Sequence, residues 1–394
     1  MGFESGAMTF RCFYLSRAFE PESLELFAKR RLPPLETLTG EQSLHGWTGP
    51  SHALDLDFSE EHCCERPYLH FSHVTAEKKI PPSTLRAHLK LELEIERKAR
   101  DLLFLPRQVK TEVKERVVAD LIRHTLPSFG SMECVIDMEG QRLFASAMAD
   151  RAVELLAPFF RETTGCMPVM MLPESAALRR KNVDVNTLEP GNLSPNEKLP
   201  QPVEPTLGLD FFTWLYWFWE KGGGTFQMGK ELCGMMFEGP FLFTAADMPG
   251  CHETALRNGT PQDSPEFGTA LWNGKLLRRA KLTLTRGELI VSAGVDGADF
   301  SFRSVKLPKR GKKERPDSAD EMPSAAKAAR EAAPVQEEEA PVTLFERMRA
   351  IDFYVDAFLS LFDQYLDLRA NPSAWHGALS ELHAWIAHRA GEKL

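Results

Sequence analysis

The residues of this chain that could do chemistry come in small groups. His62, Cys63 and Cys64 are adjacent and metal-capable. Zinc sites space their cysteines C-x₂₋₄-C so that two side chains converge on one ion. Neighbouring residues converge poorly and no second pair lies nearby, so these read as ordinary thiols in a loop. GTFQMGK (224–230) has the spacing GxxxxGK. A phosphate loop also needs Ser or Thr next and a strand before it. Glu231 follows and an aromatic helix precedes, so a helix terminus with a glycine turn is the better account. Carboxylates are plentiful, but no acidic cluster at a strand end has the supporting histidine that a metal nuclease needs. Glu92, Glu94 and Glu96 alternate along a helix and are read as solvated charges on different faces. The chain is therefore expected to bind rather than catalyse, with no metal and no cofactor.

What remains is basic charge. Between residues 78 and 123 stand Lys78, Lys79, Arg86, Lys90, Arg97, Lys98, Arg100, Arg107, Lys110, Lys114, Arg116 and Arg123, interleaved with eight acids from Glu77 to Asp120. Residues 275–315 hold twelve Lys and Arg against Glu288, Asp296, Asp299 and Glu314, an excess of +8 in a chain of net charge −9. Regional charge, and not the total, sets the local field. Clustered cations are what phosphate binding requires, because its affinity comes from counterion release. The expected phosphate contacts are Lys78, Lys79, Arg97, Lys98, Lys110 and Lys114 from the helical region, with Arg278, Arg279, Lys281 and Lys306 from the later one. Strand alternation puts Arg279 and Lys281 on one face and Arg278 on the other, so the first two are expected to face the ligand.

The elements that must position these residues can be read along the chain. MTFRCFYLSR (8–17) and YLHFSHVTAEKK (68–79) alternate as strands. Pro81 and Pro82 open a helix at the position where proline is tolerated. Leu85, Leu89, Leu93 and then Leu102 and Leu103 form its apolar stripe, Pro106 breaks it, and a second helix runs from about 107 to 125. ECVIDMEGQRLFASA (133–147) is a hairpin turning at Glu139-Gly140. Residues 149–165 form an amphipathic helix ending at Gly165, and MPVMML (167–172) is a short buried strand. Five prolines in 179–206 mark a linker between an α+β part (1–178) and a second one (207–307). The second part holds the apolar helix FFTWLYWFW (211–219), expected to be buried in a core or subunit contact, and a meander turning at Arg286-Gly287 and Asp296-Gly297. At nine residues that helix is far short of the ~20 of a membrane span, and no membrane contact is expected. Residues 308–341 lack large apolar side chains and are expected to be a disordered charged linker. A helical segment closes the chain at 342–394. The seven scattered cysteines and the lack of a signal-peptide pattern are read as reduced cytosolic thiols.

The order of these segments resembles the RdgC family of recombination-associated DNA-binding proteins. FRCFYLSR (10–17) is similar to its opening strand, GWTGP (46–50) to its Gly-Trp-Val-Pro-Pro turn, and EKKIPPSTLRAHL (77–89) to its Glu-Lys-Ile-Leu-Pro motif. LPSF (126–129), CVIDMEGQRLFASA (134–147), MPVMML (167–172) and FFTWLYW (211–217) follow in the family's order. So do GKLLRRAKLTLTRGELIVSAGVDG (274–297) and the C-terminal helices near Asp352-Phe353. The resemblance implies an α+β fold of antiparallel sheets with long helices and no known active site. It implies a homodimer closed into a ring, with double-stranded DNA passing through a positive hole. It further implies binding with little sequence preference, restraint of RecA-type strand exchange, and a cytoplasmic, nucleoid-associated protein. Single-stranded DNA is a second candidate partner.

The chain departs from the family pattern at FEGPFLFTAADMP (237–249), which aligns with a lysine-rich fingertip yet contains no lysine or arginine. LPSF is shorter than the corresponding Phe-bearing loop, and 317–340 is an acidic, alanine-rich addition. Two alternatives stay open: a DNA-acting enzyme such as an exonuclease or NTPase, and a protein-interaction module that has lost DNA affinity.

Overall fold

The computed structural model describes residues 2–4, 6–38, 43–200, 202–245, 252–307 and 343–392. The fold is α+β with antiparallel sheets, as the alternation and helical periodicity imply. The chain divides into two compact units, residues 10–170 and residues 1–9 with 171–394. The first expected linker (179–206) therefore lies inside the second unit, and the helices after 342 belong to that unit as well. The expected disordered stretch 308–341 falls outside the described residues.

In the unit 10–170, β1 (Met8–Tyr14) enters from its first two residues. The sheet is completed by β2 (Ser43–Thr48), β3 (Cys64–Glu65), β4 (Tyr68–Glu77), β5 (Ser128–Asp137), β6 (Arg142–Ala145) and β7 (Val169–Met170). Its order is β1-β6-β5-β4-β2, with β3 beside β4 and β7 beside β1. Short helices α1 (Leu24–Ala28) and α2 (Glu60–Cys63) precede the long pair α3 (Pro82–Ala99) and α4 (Arg107–His124), and α5 (Asp150–Thr164) covers the sheet. Phe27, Trp47, Phe71, Phe159 and Phe160 fill the core, where Trp47 stacks on Phe159 at 5.1 Å. β5 and β6 make the expected hairpin, and Asp137 holds its turn by accepting from Gly140 N–H at 2.9 Å and from Arg142 at 3.2 Å. The expected buried strand at 167–172 shrinks to β7, where Val169 is half exposed because the strand pairs only at the sheet margin.

The second unit adds α6 (Pro173–Lys181), the aromatic helix α7 (Leu207–Lys221), β8 (Thr225–Met228), β9 (Glu231–Thr244), β10 (Glu253–Leu256) and α8 (Pro265–Trp272). The meander follows as β11 (Leu276–Arg286), β12 (Leu289–Asp296) and β13 (Ser301–Lys306), and the chain closes with α9 (Leu344–Arg369) and α10 (Pro372–Ala390). β10-β9-β11-β12-β13 are neighbours in that order. α7 is buried as expected: Phe211 meets Phe358 and Phe362, Tyr216 meets Phe237 and Phe267, and Trp214 and Trp217 are 4% and 6% exposed.

The proline-rich stretch after α6 is not a loose connector. Leu193 is buried, Ser194 donates to the Trp272 carbonyl at 2.8 Å, and the Asn192 and Glu189 carbonyls meet His383 and Arg369. Proline excludes regular structure but not packing, so composition alone misjudged this segment.

Candidate nucleic-acid interface

β4 and β5 pair over ten residues, from Tyr68↔Asp137 to Glu77↔Ser128. Where a tight hairpin turn would join them, the chain instead makes α3 and α4. Each is 18 residues, or roughly 27 Å at 1.5 Å per residue. Pro82 stands at the first turn of α3, and Pro106 is the N-cap of α4. The two helices close on Leu105, Val109, Val113 and Val117, with Leu85, Leu89, Leu93 and Leu121 packed alongside. Leu102 and Leu103 do not extend this stripe as expected. α3 has ended at Ala99, and both side chains stand in the turn, exposed.

This arm sorts its charges. The three glutamates of α3 are not simply solvated, and the assignment to separate faces fails for two of them. Glu92 and Glu96 are four residues apart and share a face. Both accept from Arg116 of α4 at 3.3 Å, and Glu96 also holds Arg100 at 2.8 Å. Glu94 pairs with Lys98 at 3.2 Å. Bonds from Arg100 and Arg116 hold the Glu96 carboxyl below its usual range, and Lys98 does the same for Glu94.

On α4 the opposite side is different. Arg107, Lys110 and Lys114 stand at i, i+3 and i+7, are exposed, and have no ion pair among the described residues. Lys79, Arg97 and Arg123 are likewise exposed and unpaired among those residues, and Lys78 is half-buried. A groove of about 850 Å³ runs beside α4, with Lys78, Lys114 and Arg123 on its walls, Glu36 and Glu115 among them, and Leu38, Val118 and Ile122 at its floor. Of the six expected arm contacts, Lys78 and Lys114 thus come together. Lys110 lies along the same helix and Lys79 follows Lys78. Arg97 is available near the turn, and Lys98 is spent on Glu94. Arg107 and Arg123 belong with the unpaired set and were left out of the expected contacts. Arg107 is three residues before Lys110, a spacing that puts both on one face of the helix.

The meander carries its cations differently. Arg279 and Asp296 are direct cross-strand partners, as are Lys281 and Glu238. Each pair bonds at 2.5 Å. Arg278 reaches the same buried Asp296 at 3.3 Å, so the strict alternation of Arg278 against Arg279 does not hold. A register shift between Leu277 and Arg279 against β9 is the cause. Lys306 is exposed at the end of β13 and has no ion pair among the described residues.

The other chemical candidates resolve into structure. GTFQMGK forms β8 and its turn into β9, with Met228 paired to Glu231 and Gly229 at φ 63, and not the helix terminus expected. Cys63 is not in an open loop: it is buried at the end of α2, its thiol is pushed up to about 12 by burial, and Cys64 is raised by the same cause. His62 Nε2 lies 2.6 Å from Asp55 Oδ2 and 3.4 Å from Ser51 Oγ. One ring nitrogen meeting both partners is not the relay of a nucleophilic triad, in which base and orienting acid use opposite nitrogens. No described group of three His, Cys, Asp or Glu side chains is placed to hold a metal ion, and no described helix is long and apolar enough to cross a membrane. The chain matches no protein-family model and no curated protein.

Proposed function

We propose that this protein binds DNA through its phosphates, without reading base sequence, and that the α3–α4 arm carries much of the contact. The supporting observation is the sorting of charge on the arm. Arg116, Arg100 and Lys98 are held by acids, whereas Arg107, Lys110, Lys114, Lys79 and Arg123 have no ion pair among the described residues. Phosphate contacts position a protein on a duplex but carry no sequence information. The RdgC-like order of motifs extends this reading to a homodimer that surrounds duplex DNA during recombination in the bacterial cytoplasm and nucleoid. The meander is a lesser contributor, because Arg279 and Lys281 already hold carboxylates.

The test is a gel-shift titration of the full chain on a labelled duplex of mixed sequence. With about six phosphate contacts, affinity should fall roughly a thousandfold between 50 and 200 mM salt. The fall should be equal on unrelated sequences. No shift at micromolar protein in low salt, or binding indifferent to salt, removes the reading. Loss of DNA ends in the presence of divalent metal, or ATP turnover, would instead favour the enzymatic alternative.

A further inference from the structure

The turn of the arm is built to hold two apolar side chains away from the protein. α3 closes with Asp101 N–H donating to the Lys98 carbonyl at 3.2 Å and Leu102 N–H to the Arg97 carbonyl at 3.1 Å. Asp101 sits at φ 51, a left-handed conformation that aspartate tolerates better than most residues. Leu105 then turns inward to join Val109 and Val113 in the arm core. Between these fixed points Leu103 and Phe104 are 82% and 85% exposed. Two large adjacent apolar side chains this exposed, on a capped turn, mark a contact surface.

Their neighbours specify the chemistry of the partner. Arg97 on the last turn of α3 and Arg107 and Lys110 on the first turn of α4 flank the turn and have no ion pair among the described residues. The partner therefore presents negative charge around an apolar, enterable interior. A duplex and an anionic bilayer both fit that description at the tip. The cations do not stop at the tip: on α4 they continue as a stripe to Lys114, with Lys78 and Arg123 on the walls of the groove beside it. A bilayer touched end-on would leave that stripe unused, whereas a duplex carries phosphates along its whole length.

We infer that Leu103 and Phe104 form a wedge that enters a base step of duplex DNA and partly unstacks it, while Arg97, Arg107 and Lys110 hold the flanking phosphates. This rests on the DNA-binding reading above and adds to it. Apolar wedges of this kind kink the duplex at the step they enter. The cost is lowest at flexible pyrimidine–purine steps, so the wedge gives a preference for deformable sites without any hydrogen bond to a base.

The experiment uses the full chain, a duplex with 2-aminopurine at a central TA step, and the double variant Leu103→Ser, Phe104→Ser. Wild-type protein at saturation should raise 2-aminopurine emission. The double variant should shift the duplex with the same salt slope and lose the rise. Phe104→Trp should keep the rise, and its indole emission should be quenched on binding. A wild-type protein that shifts the duplex with no rise in emission overturns the wedge and leaves DNA binding intact. A double variant that keeps the rise does the same, as does one whose solution mass differs from wild type, which would make the tip a contact between copies. Binding of wild type but not the variant to phosphatidylglycerol vesicles, without any emission change on DNA, assigns the tip to a lipid surface. A wild-type chain that shifts no duplex overturns both readings together.

Discussion

Replacing Lys110 and Lys114 by Gln, and separately replacing Arg116 by Gln, separates charge that is available from charge that is merely present. All three residues are exposed on the same helix, and all three would count equally in a tally of basic residues. Arg116 is bonded to Glu92 and Glu96, whereas Lys110 and Lys114 have no ion pair among the described residues. Each phosphate contact contributes about 0.9 to the slope of log K against log salt. Losing both lysines should lower the slope by roughly 1.8. If that ionic contribution vanishes near 1 M salt, each contact is worth roughly fivefold in affinity at 0.15 M, and the pair roughly thirtyfold. At 0.05 M the pair rises to roughly two-hundredfold. Arg116→Gln should leave the slope within error of wild type, because its charge is already balanced. Glutamine keeps helix propensity close to that of lysine and arginine, so circular dichroism should not change. The assay is fluorescence anisotropy on one duplex across four salt concentrations. Equal slope losses for Arg116→Gln and for the lysine pair would refute the argument that ion pairing decides which arm cations reach DNA.

Three further outcomes follow from the unit 10–170. Burial, helped by the nearby His45, lowers His73 from its ordinary 6.5 to about 4. The unfolded chain binds that proton first, so the contribution is complete above pH 6.5 and is lost as pH falls toward 4, roughly 3 kcal/mol in all. Hydrogen exchange of the β4 amides should report it, and His73→Phe should flatten the dependence; an unchanged profile would contradict a neutral buried ring. Trp47 is fully buried and donates from Nε1 to Thr163 Oγ1 at 2.8 Å. Trp47→Ala should cost about 3–5 kcal/mol in urea unfolding, and a loss under 1 kcal/mol would show that the core collapses around the gap. Val113 sits in the small core of the arm at 2% exposure. Val113→Asp should lower exchange protection in α3 and α4 more than in β4 and β5; an equal loss across the unit would mean that arm and sheet unfold as one.

Much of the scaffold was legible because its signals are local. Pro82 and Pro106 mark the starts of α3 and α4, Gly140 sits in the hairpin turn, and Gly287 takes φ 57 in the turn of the meander. The arm cations were visible as a set, but their division was not. Whether Arg116 or Lys114 meets an acid depends on the rotational phase of α4 against α3, which the apolar residues Val109, Val113 and Val117 set. The pairing of Arg278 and Arg279 with one aspartate depends on a register shift against β9, a strand some 35 residues earlier. For Glu92 and Glu96 the signal is local: alternation separates each from Glu94, but their own spacing of four puts them on one face, where Arg116 meets both. The docked stretch after α6 lacked periodicity, and contacts made by backbone carbonyls such as those of Glu189 and Asn192 leave no mark in side-chain composition.

The placement of the arm also bears on how the chain reaches its native state. β4 and β5 lie about fifty residues apart along the chain, yet Glu77 and Ser128 end as direct partners. Closing a loop of that length costs roughly 2 kcal/mol more than closing a four-residue turn. A helical hairpin is made of local contacts and forms on the microsecond scale. Once α3 and α4 have paired, residues 78 and 127 are already neighbours, and the strands can zip from Glu77 and Ser128 as though joined by a short turn. The arm is then a kinetic chaperone for its own sheet. Lesions in its core should retard folding while leaving the rate of unfolding nearly untouched.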